Sequence, residues 1–381
     1  MENVPFIDLG PWVDVVRGNP TVIPDAIDQR FYKLLDTCEF LGGGLTTRRL
    51  EAKLAAHLNV HNVVTCANGT DALQLALRAC GVERGSRVAM PNLTFWATYE
   101  AIVNVGATPV LIDIDPDDRQ MSFDEFKQAH NEKRFDAAIL VHLYGWCSAR
   151  LTEFRTFCRE RRITLIEDGA QAFGVQVDGQ SVFADADVAT LSFHPAKVLG
   201  GIGDGGAVLT KTARVADRVR ALANHGRVSS AGHEHATVGW NSRLDAIQAT
   251  WLLRALDVVD EVIDARRRLE THYETVLRSN ADREVSRLGD SSSTTSNGYM
   301  ITIYNGYVAA AAVVNRLGAQ GIEARRIYPH TIAEQARGAI EFGPLTHSRA
   351  LMPYVISLPL YYGMTPEMVE RCVKAYVEAV K

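Results

Sequence analysis

Paired cysteines are missing from this 381-residue chain: Cys38, Cys66, Cys80, Cys147, Cys158 and Cys372 are scattered, with no C-x-x-C among them. That spacing argues against a zinc site and against a disulfide framework, and it fits a reducing cytosol. There is no basic block, and the formal net charge is only −5, so neither nucleic acid nor an anionic membrane is an expected partner. No uninterrupted apolar stretch is long enough to span a bilayer. The opening Met1-Glu2-Asn3-Val4-Pro5-Phe6-Ile7-Asp8-Leu9 has neither a basic start nor an apolar core, so no signal peptide is expected. These absences leave a soluble, cytoplasmic protein of ordinary globular composition, long enough for two domains.

The positive signals are short apolar runs alternating with helical patterns between about residues 60 and 215, the mark of an α/β domain with a mostly parallel sheet. Strands are expected at Asn62–Cys66, Arg87–Met90, Pro109–Ile114, Ala137–Val141, Thr164–Ile166, Val188–Phe193 and Ala207–Thr210. A helix follows Gly69-Thr70, with Leu73, Ala76, Leu77 and Cys80 at i, i+3, i+4, i+7. Leu244, Ile247, Trp251, Ala255, Val258 and Val262 predict one long amphipathic helix continuing to about Leu277. Residues 1–250 are therefore expected to form a large α/β domain, and 251–381 a smaller α+β domain entered by that helix. The N-terminal segment is placed against the small domain. A closing helix is expected after Thr365-Pro366-Glu367, and Asp290–Gly298 is a polar loop with no assignable chemistry.

Chemistry concentrates around one lysine. Lys197 lies in Ser192-Phe193-His194-Pro195-Ala196-Lys197-Val198-Leu199-Gly200-Gly201, downstream of an apolar run that ends in Glu167-Asp168. A lysine presented among small residues, with a carboxylate delivered by a strand, suits pyridoxal phosphate. That cofactor needs an amine to hold its aldehyde as a Schiff base and an anion to keep its ring nitrogen protonated. Gly69-Thr70 opens a helix, whose unpaired N–H groups and dipole suit a phosphate, and Ser192 offers a second contact. Phe95 or Trp96 can supply an aromatic face for a flat ring, and Gln171 can reach a ring oxygen.

In order along the chain, these pieces resemble the DegT/StrS family of sugar aminotransferases, members of the fold type I pyridoxal-phosphate enzymes. The resemblance runs from Pro5-Phe6-Ile7-Asp8-Leu9 through Asn68-Gly69-Thr70-Asp71-Ala72-Leu73 and Pro91-Asn92-Leu93-Thr94-Phe95 to Glu167-Asp168-Gly169-Ala170-Gln171. It continues through Asp187–Gly200, Gly203-Asp204-Gly205-Gly206, Asn224-His225-Gly226, Gly239–Asp245 and Leu358-Pro359-Leu360. It implies Lys197 as Schiff-base lysine and proton carrier, with Asp168 on the pyridine nitrogen and Gln171 near the ring oxygen. Phe95 would stack on the ring, Gly69, Thr70 and Ser192 would hold the phosphate, and Asn241 would reach the neighbouring subunit's cofactor phosphate in a homodimer with shared active sites. Asn68, Asp204 and Ser242 depart from the family's usual Ser, Glu and aromatic residue, and Arg325–His330 matches its substrate-side loop only loosely.

The implied reaction moves an amino group from an amino acid, with L-glutamate the expected donor, to a keto sugar carried on a nucleotide. A free keto sugar, a keto acid sugar or an inosose is the alternative acceptor. A pyridoxamine-phosphate-dependent sugar dehydratase would carry histidine in place of Lys197, and a non-catalytic regulatory protein would not be expected to keep Lys197, Asp168 and Gln171. No metal is expected: His233-Glu234-His235 reads as a solvent or substrate-lid segment, and His194 as a structural residue. Arg227, Arg325 and Arg326 suit either bidentate anion contacts or surface pairing, and Cys66 and Cys80 suit core packing.

Overall fold

The computed structural model describes residues 3–18, 26–133, 135–227, 233–280, 286–287, 294–306 and 308–381, so Asp290 to Ser293 of the polar loop lie outside the described residues. Strands in chain order are β1 Asn62–Cys66, β2 Arg87–Pro91, β3 Thr108–Ile112, β4 Ala137–Val141, β5 Thr164–Asp168, β6 Gln176–Val177 and β7 Gln180–Ser181. They are followed by β8 Val188–Ser192, β9 Gly206–Thr210, β10 Ser286–Arg287, β11 Thr294–Thr295, β12 Ile301–Tyr304, β13 Ile340–Glu341 and β14 Val355–Leu358. The seven strands expected from sequence are all present, with ends that differ by one or two residues.

Eight strands form the main sheet in the order β1-β9-β8-β5-β4-β2-β3-β13. Every described pairing is parallel except those of β9, which runs antiparallel to both β1 and β8. Helices cover both faces, so strands such as Ala137-Ala138-Ile139-Leu140-Val141 are buried throughout and carry no polar alternation. The C-terminal ends of β1, β2, β5 and β8 come to one edge, where polar side chains can face a ligand rather than the core.

The long helix expected over Leu244–Leu277 is two helices, Ala246–Ala255 and Val259–Asn280. The ladder tightens at the break, where Asp257 N–H bonds Arg254 O at 3.0 Å and Val258 N–H bonds Ala255 O at 3.1 Å. Asp257, at the corner, takes Lys53 as an ion-pair partner, with Arg30 at 3.6 Å and Arg254 at 3.7 Å. The apolar spacing persists across the corner, so periodicity alone hides the turn.

Beyond it a second cluster forms: Tyr273 and Leu277 of the longer helix pack with Ile303 of β12, Ile356 of β14, Val313 and Tyr376. Val4 belongs to this cluster and bridges Ile322, which seats the N-terminal segment there. The helix Pro366–Ala379 starts on Thr365, whose side chain accepts from Met368 N–H. No described helix is long and apolar enough to cross a membrane.

Candidate active site

Strand β5 ends in two carboxylates that the pleat sends to opposite faces. Glu167 points into the sheet's covering layer, where Arg155 bonds it with Nε and Nη2, both at 2.8 Å, and His142 Nε2 approaches at 2.9 Å. Burial alone would raise its carboxyl, but the bonds from His142 and Arg155 outweigh that and hold it below the usual range. Asp168 points the other way. Its Oδ2 accepts from Thr98 Oγ1 at 3.1 Å and its Oδ1 from Ala170 N–H at 3.1 Å, and no cation pairs with it among the described residues. Burial raises its carboxyl, and these two bonds and the positive charge of Lys197 only partly offset the rise.

Lys197 is carried by the turn after β8. Its N–H bonds His194 O at 2.8 Å, and Phe193 N–H bonds Gly205 O at 2.7 Å. A Cβ on Gly200 would stand 2.4 Å from Pro195 O, so the turn closes only with glycine there. Gly200 O is itself held by indole N–H groups, Trp251 at 2.9 Å and Trp12 at 3.3 Å. His194 caps this turn, its Nδ1 accepting from Ala196 N–H at 3.2 Å, which is a structural duty. The lysine Nζ reaches Tyr299 OH at 3.4 Å.

The helix Gly69–Ala79 begins beside Ser192, and a Cβ on Gly69 would lie 2.8 Å from Ser192 Cβ. Asn68 is the N-cap, accepting from Asp71 N–H at 2.8 Å, so the departure at this position supplies a helix cap. The Thr70 hydroxyl has no protein partner among the described residues, and the Ser192 hydroxyl accepts only from His194 N–H at 3.3 Å. Phe95 exposes 60% of its surface at the start of the next helix, and Tyr328 lies 6.4 Å away, ring to ring. Trp96 instead packs on Tyr99, ring centroids 4.6 Å apart.

Gln171 is buried and accepts from Tyr144 N–H at 2.7 Å while its Nε2 donates to Tyr328 OH at 2.6 Å. Pairwise links run among these residues: Gly69 and Thr70 open their helix against Ser192, Phe95 and Gln171 share Tyr328, and the charge of Lys197 acts on Asp168. Asn241 does not join them: it is exposed, bridges Asn224 and accepts from Arg243 Nη2 at 2.7 Å. Arg325 pairs with Glu323, Arg326 bonds Pro329 O at 2.9 Å, and His235 rests on His225 O at 2.8 Å. His233 is exposed, and no described group of three or more His, Cys, Asp or Glu could hold a metal. Cys66 is buried, and burial pushes the half-buried Cys80 thiol up to about 11, so both suit packing.

Sequence reasoning missed Thr98, Tyr144, Tyr299 and Tyr328. Tyr328 sits in the Arg325–His330 segment noted for other reasons, and Thr98 falls one helical turn after Thr94, whose hydroxyl it meets at 2.9 Å. Tyr144 has φ +60°, left-handed backbone for a non-glycine residue, and no sequence signal marks it.

Residues 22–377 match the DegT/DnrJ/EryC1/StrS aminotransferase family. A UDP-N-acetyl-3-dehydro-alpha-D-glucosamine 3-aminotransferase of Acidithiobacillus ferrooxidans is 39% identical over 69% of this chain and 70% of its own length. A UDP-2-acetamido-2-deoxy-3-oxo-D-glucuronate aminotransferase of Pseudomonas aeruginosa is 33% identical over 94% of this chain and 95% of its own. Among solved structures, DesV of S. venezuelae in complex with a ketimine intermediate superposes with a TM-score of 0.89 at 29% identity, covering 100% of this chain and 99% of that one.

Proposed function

Because the chain belongs to the DegT/DnrJ/EryC1/StrS aminotransferase family, we propose that it is a pyridoxal-phosphate-dependent enzyme that transfers an amino group to a nucleotide-linked keto sugar. UDP-linked 3-keto-2-acetamido sugars are the first acceptors to test, since two relatives of this chain are named for such substrates. L-glutamate is the donor we infer. We place the protein in the cytoplasm as a homodimer, a reading supported for the compartment by the scattered cysteines and for the dimer by an exposed Asn241.

One observation carries the assignment: among the described residues the buried carboxylate of Asp168 has no paired cation, yet it lies near enough to Lys197 for the lysine's charge to act on it. A buried carboxylate is costly unless a positive charge meets it, so the site fits a ligand that brings one. The glycine-opened helix at Gly69 and a Thr70 hydroxyl with no partner among the described residues fit a phosphate, and the exposed ring of Phe95 fits a flat heterocycle. Pyridoxal phosphate supplies, when bound, an aldehyde that takes up amines and a protonated ring that accepts the electron pair left on the donor carbon.

The chain's own residues do the remaining work. Lys197 Nζ would be the amine that holds the cofactor's aldehyde and, once displaced by the donor, the base that carries the donor's proton. Asp168 would supply the anion for the ring nitrogen: burial raises its carboxyl in the free chain, and a positive charge brought by the ligand would add to that of Lys197 in opposing the rise. Gln171, fixed by Tyr144 and Tyr328, presents its amide edge without freedom to turn. The test is the absorbance spectrum of purified protein with pyridoxal phosphate, before and after L-glutamate, beside Lys197→Ala. A visible band in the wild type that gives way to a near-ultraviolet band on glutamate addition is expected, with neither in the variant. A wild type that never forms the visible band overturns the reading.

A further inference from the structure

Resting on the functional reading above, we propose that Tyr299 is a positioning residue for Lys197, its phenol accepting a hydrogen bond from the lysine nitrogen and holding it in one direction. Tyr299 OH is the protein partner of Nζ, at 3.4 Å, and Nζ also lies 5.4 Å from the centre of the tyrosine ring. A lysine side chain has four rotors, and an unheld amine would sample many directions. One N–H given to the phenol leaves the remaining positions fixed in space.

Tyr299 is itself braced. Its N–H bonds Asn297 Oδ1 at 2.9 Å, and its carbonyl accepts from Arg266 Nη2 at 2.8 Å. Arg266 spends a buried guanidinium on carbonyls alone, adding Gly298 O at 2.8 Å and Leu360 O at 3.1 Å. A buried cation bonded to neutral carbonyls is costly, and here burial lowers its pKa to about 10. Gly145 closes the other side, where a Cβ would stand 2.9 Å from Tyr299 Cβ. Asn297 continues the brace to the turn after β5, donating to Gln171 O at 2.8 Å and Phe173 O at 2.9 Å. The charged and titratable groups coupled to this pair are Asp168, Arg266 and Tyr328. Among the described residues, the hydrogen bond of this phenol is the one to Lys197.

Tyr299→Phe removes one oxygen and keeps the ring. In the cofactor-free protein with ¹³C-labelled lysine, the two ε-methylene protons of Lys197, assigned by comparison with Lys197→Ala, should be distinct in the wild type and merge in Tyr299→Phe. Tyr328→Phe loses a phenol bonded to Gln171, not to Lys197, and should keep them distinct. In the loaded protein the single-turnover rate with L-glutamate should fall about tenfold, with the half-saturating glutamate concentration changed by less than about twofold. Distinct protons in Tyr299→Phe, or an unchanged single-turnover rate, would overturn the proposal. A wild type that forms no visible band would overturn the functional reading instead, and the proton signals would still decide whether the phenol holds the amine.

Discussion

Replacing Asp168 with asparagine should push the cofactor-free and the loaded protein in opposite directions. In the free protein the carboxylate is buried, bonded by Thr98 and Ala170 N–H but faced by no paired cation. Asparagine keeps an acceptor for Ala170, and its amide can donate to the Thr98 oxygen while that hydroxyl turns to Thr94. The substitution therefore removes a buried charge and keeps its hydrogen bonds. Because the folded carboxyl is raised, the unfolded chain ionises first as pH climbs, and the wild type loses stability between the ordinary value and the raised one. The variant has no such loss. Its advantage should be near zero at about pH 4 and grow, as a higher melting temperature than the wild type's, as pH rises from there to about pH 8. In the loaded protein the same change strands the ring's positive charge, at about 3–5 kcal/mol, or roughly 10²- to 10⁴-fold in single-turnover rate. Cofactor affinity should change less, since Gly69, Thr70 and Ser192 are untouched. Calorimetry across this pH range and stopped-flow absorbance with L-glutamate test both halves. A variant that melts lower at every pH, or whose rate recovers at saturating cofactor, would refute the reasoning.

Gly69→Ala brings a methyl to 2.8 Å from Ser192 Cβ, so the helix start must shift; about 1–3 kcal/mol of overpacking and at least about tenfold weaker cofactor binding are expected by calorimetry and fluorescence titration. Glu167→Gln breaks a buried ion pair and should cost about 3–5 kcal/mol in denaturant unfolding. Since its folded carboxyl is lowered, the wild-type stability it supplies is present above the ordinary carboxylate value and is lost as pH falls through the folded one, so the gap between the two proteins should close only on acidification. Phe95→Ala removes a ring already 60% exposed, so the melting temperature should stay almost unchanged while cofactor affinity falls about fivefold by titration.

The main sheet was legible because its strands are covered on both faces, which makes each one a short apolar run bounded by turn residues. What sequence could not show were features held by distant partners. The corner at Leu256–Val258 interrupts a perfectly good helical spacing, and the groups that meet Asp257 there, Lys53 and Arg30, come from distant parts of the chain. Strand β13 has just two residues, Ile340 and Glu341, and becomes a strand because the edge of β3 is free to pair with it. Two residues carry no period.

The site divides along the same line. Lys197, Asp168 and Gly69 were readable because each is a residue type that fits poorly where the local pattern puts it unless a ligand meets it. Tyr299 and Tyr328 were not, since a tyrosine in an apolar stretch reads as core whether or not its hydroxyl faces a cavity, and their roles depend on where the chain returns after the helix Val259–Asn280. The pair Glu167-Asp168 shows what the fold adds. In sequence they are adjacent acids, either of which could serve the cofactor. The pleat sends one to Arg155 and His142, which hold it ionised and occupied, and leaves the other buried without a cation. A carboxylate already paired with arginine is spoken for, which is why we assign the ring nitrogen to Asp168.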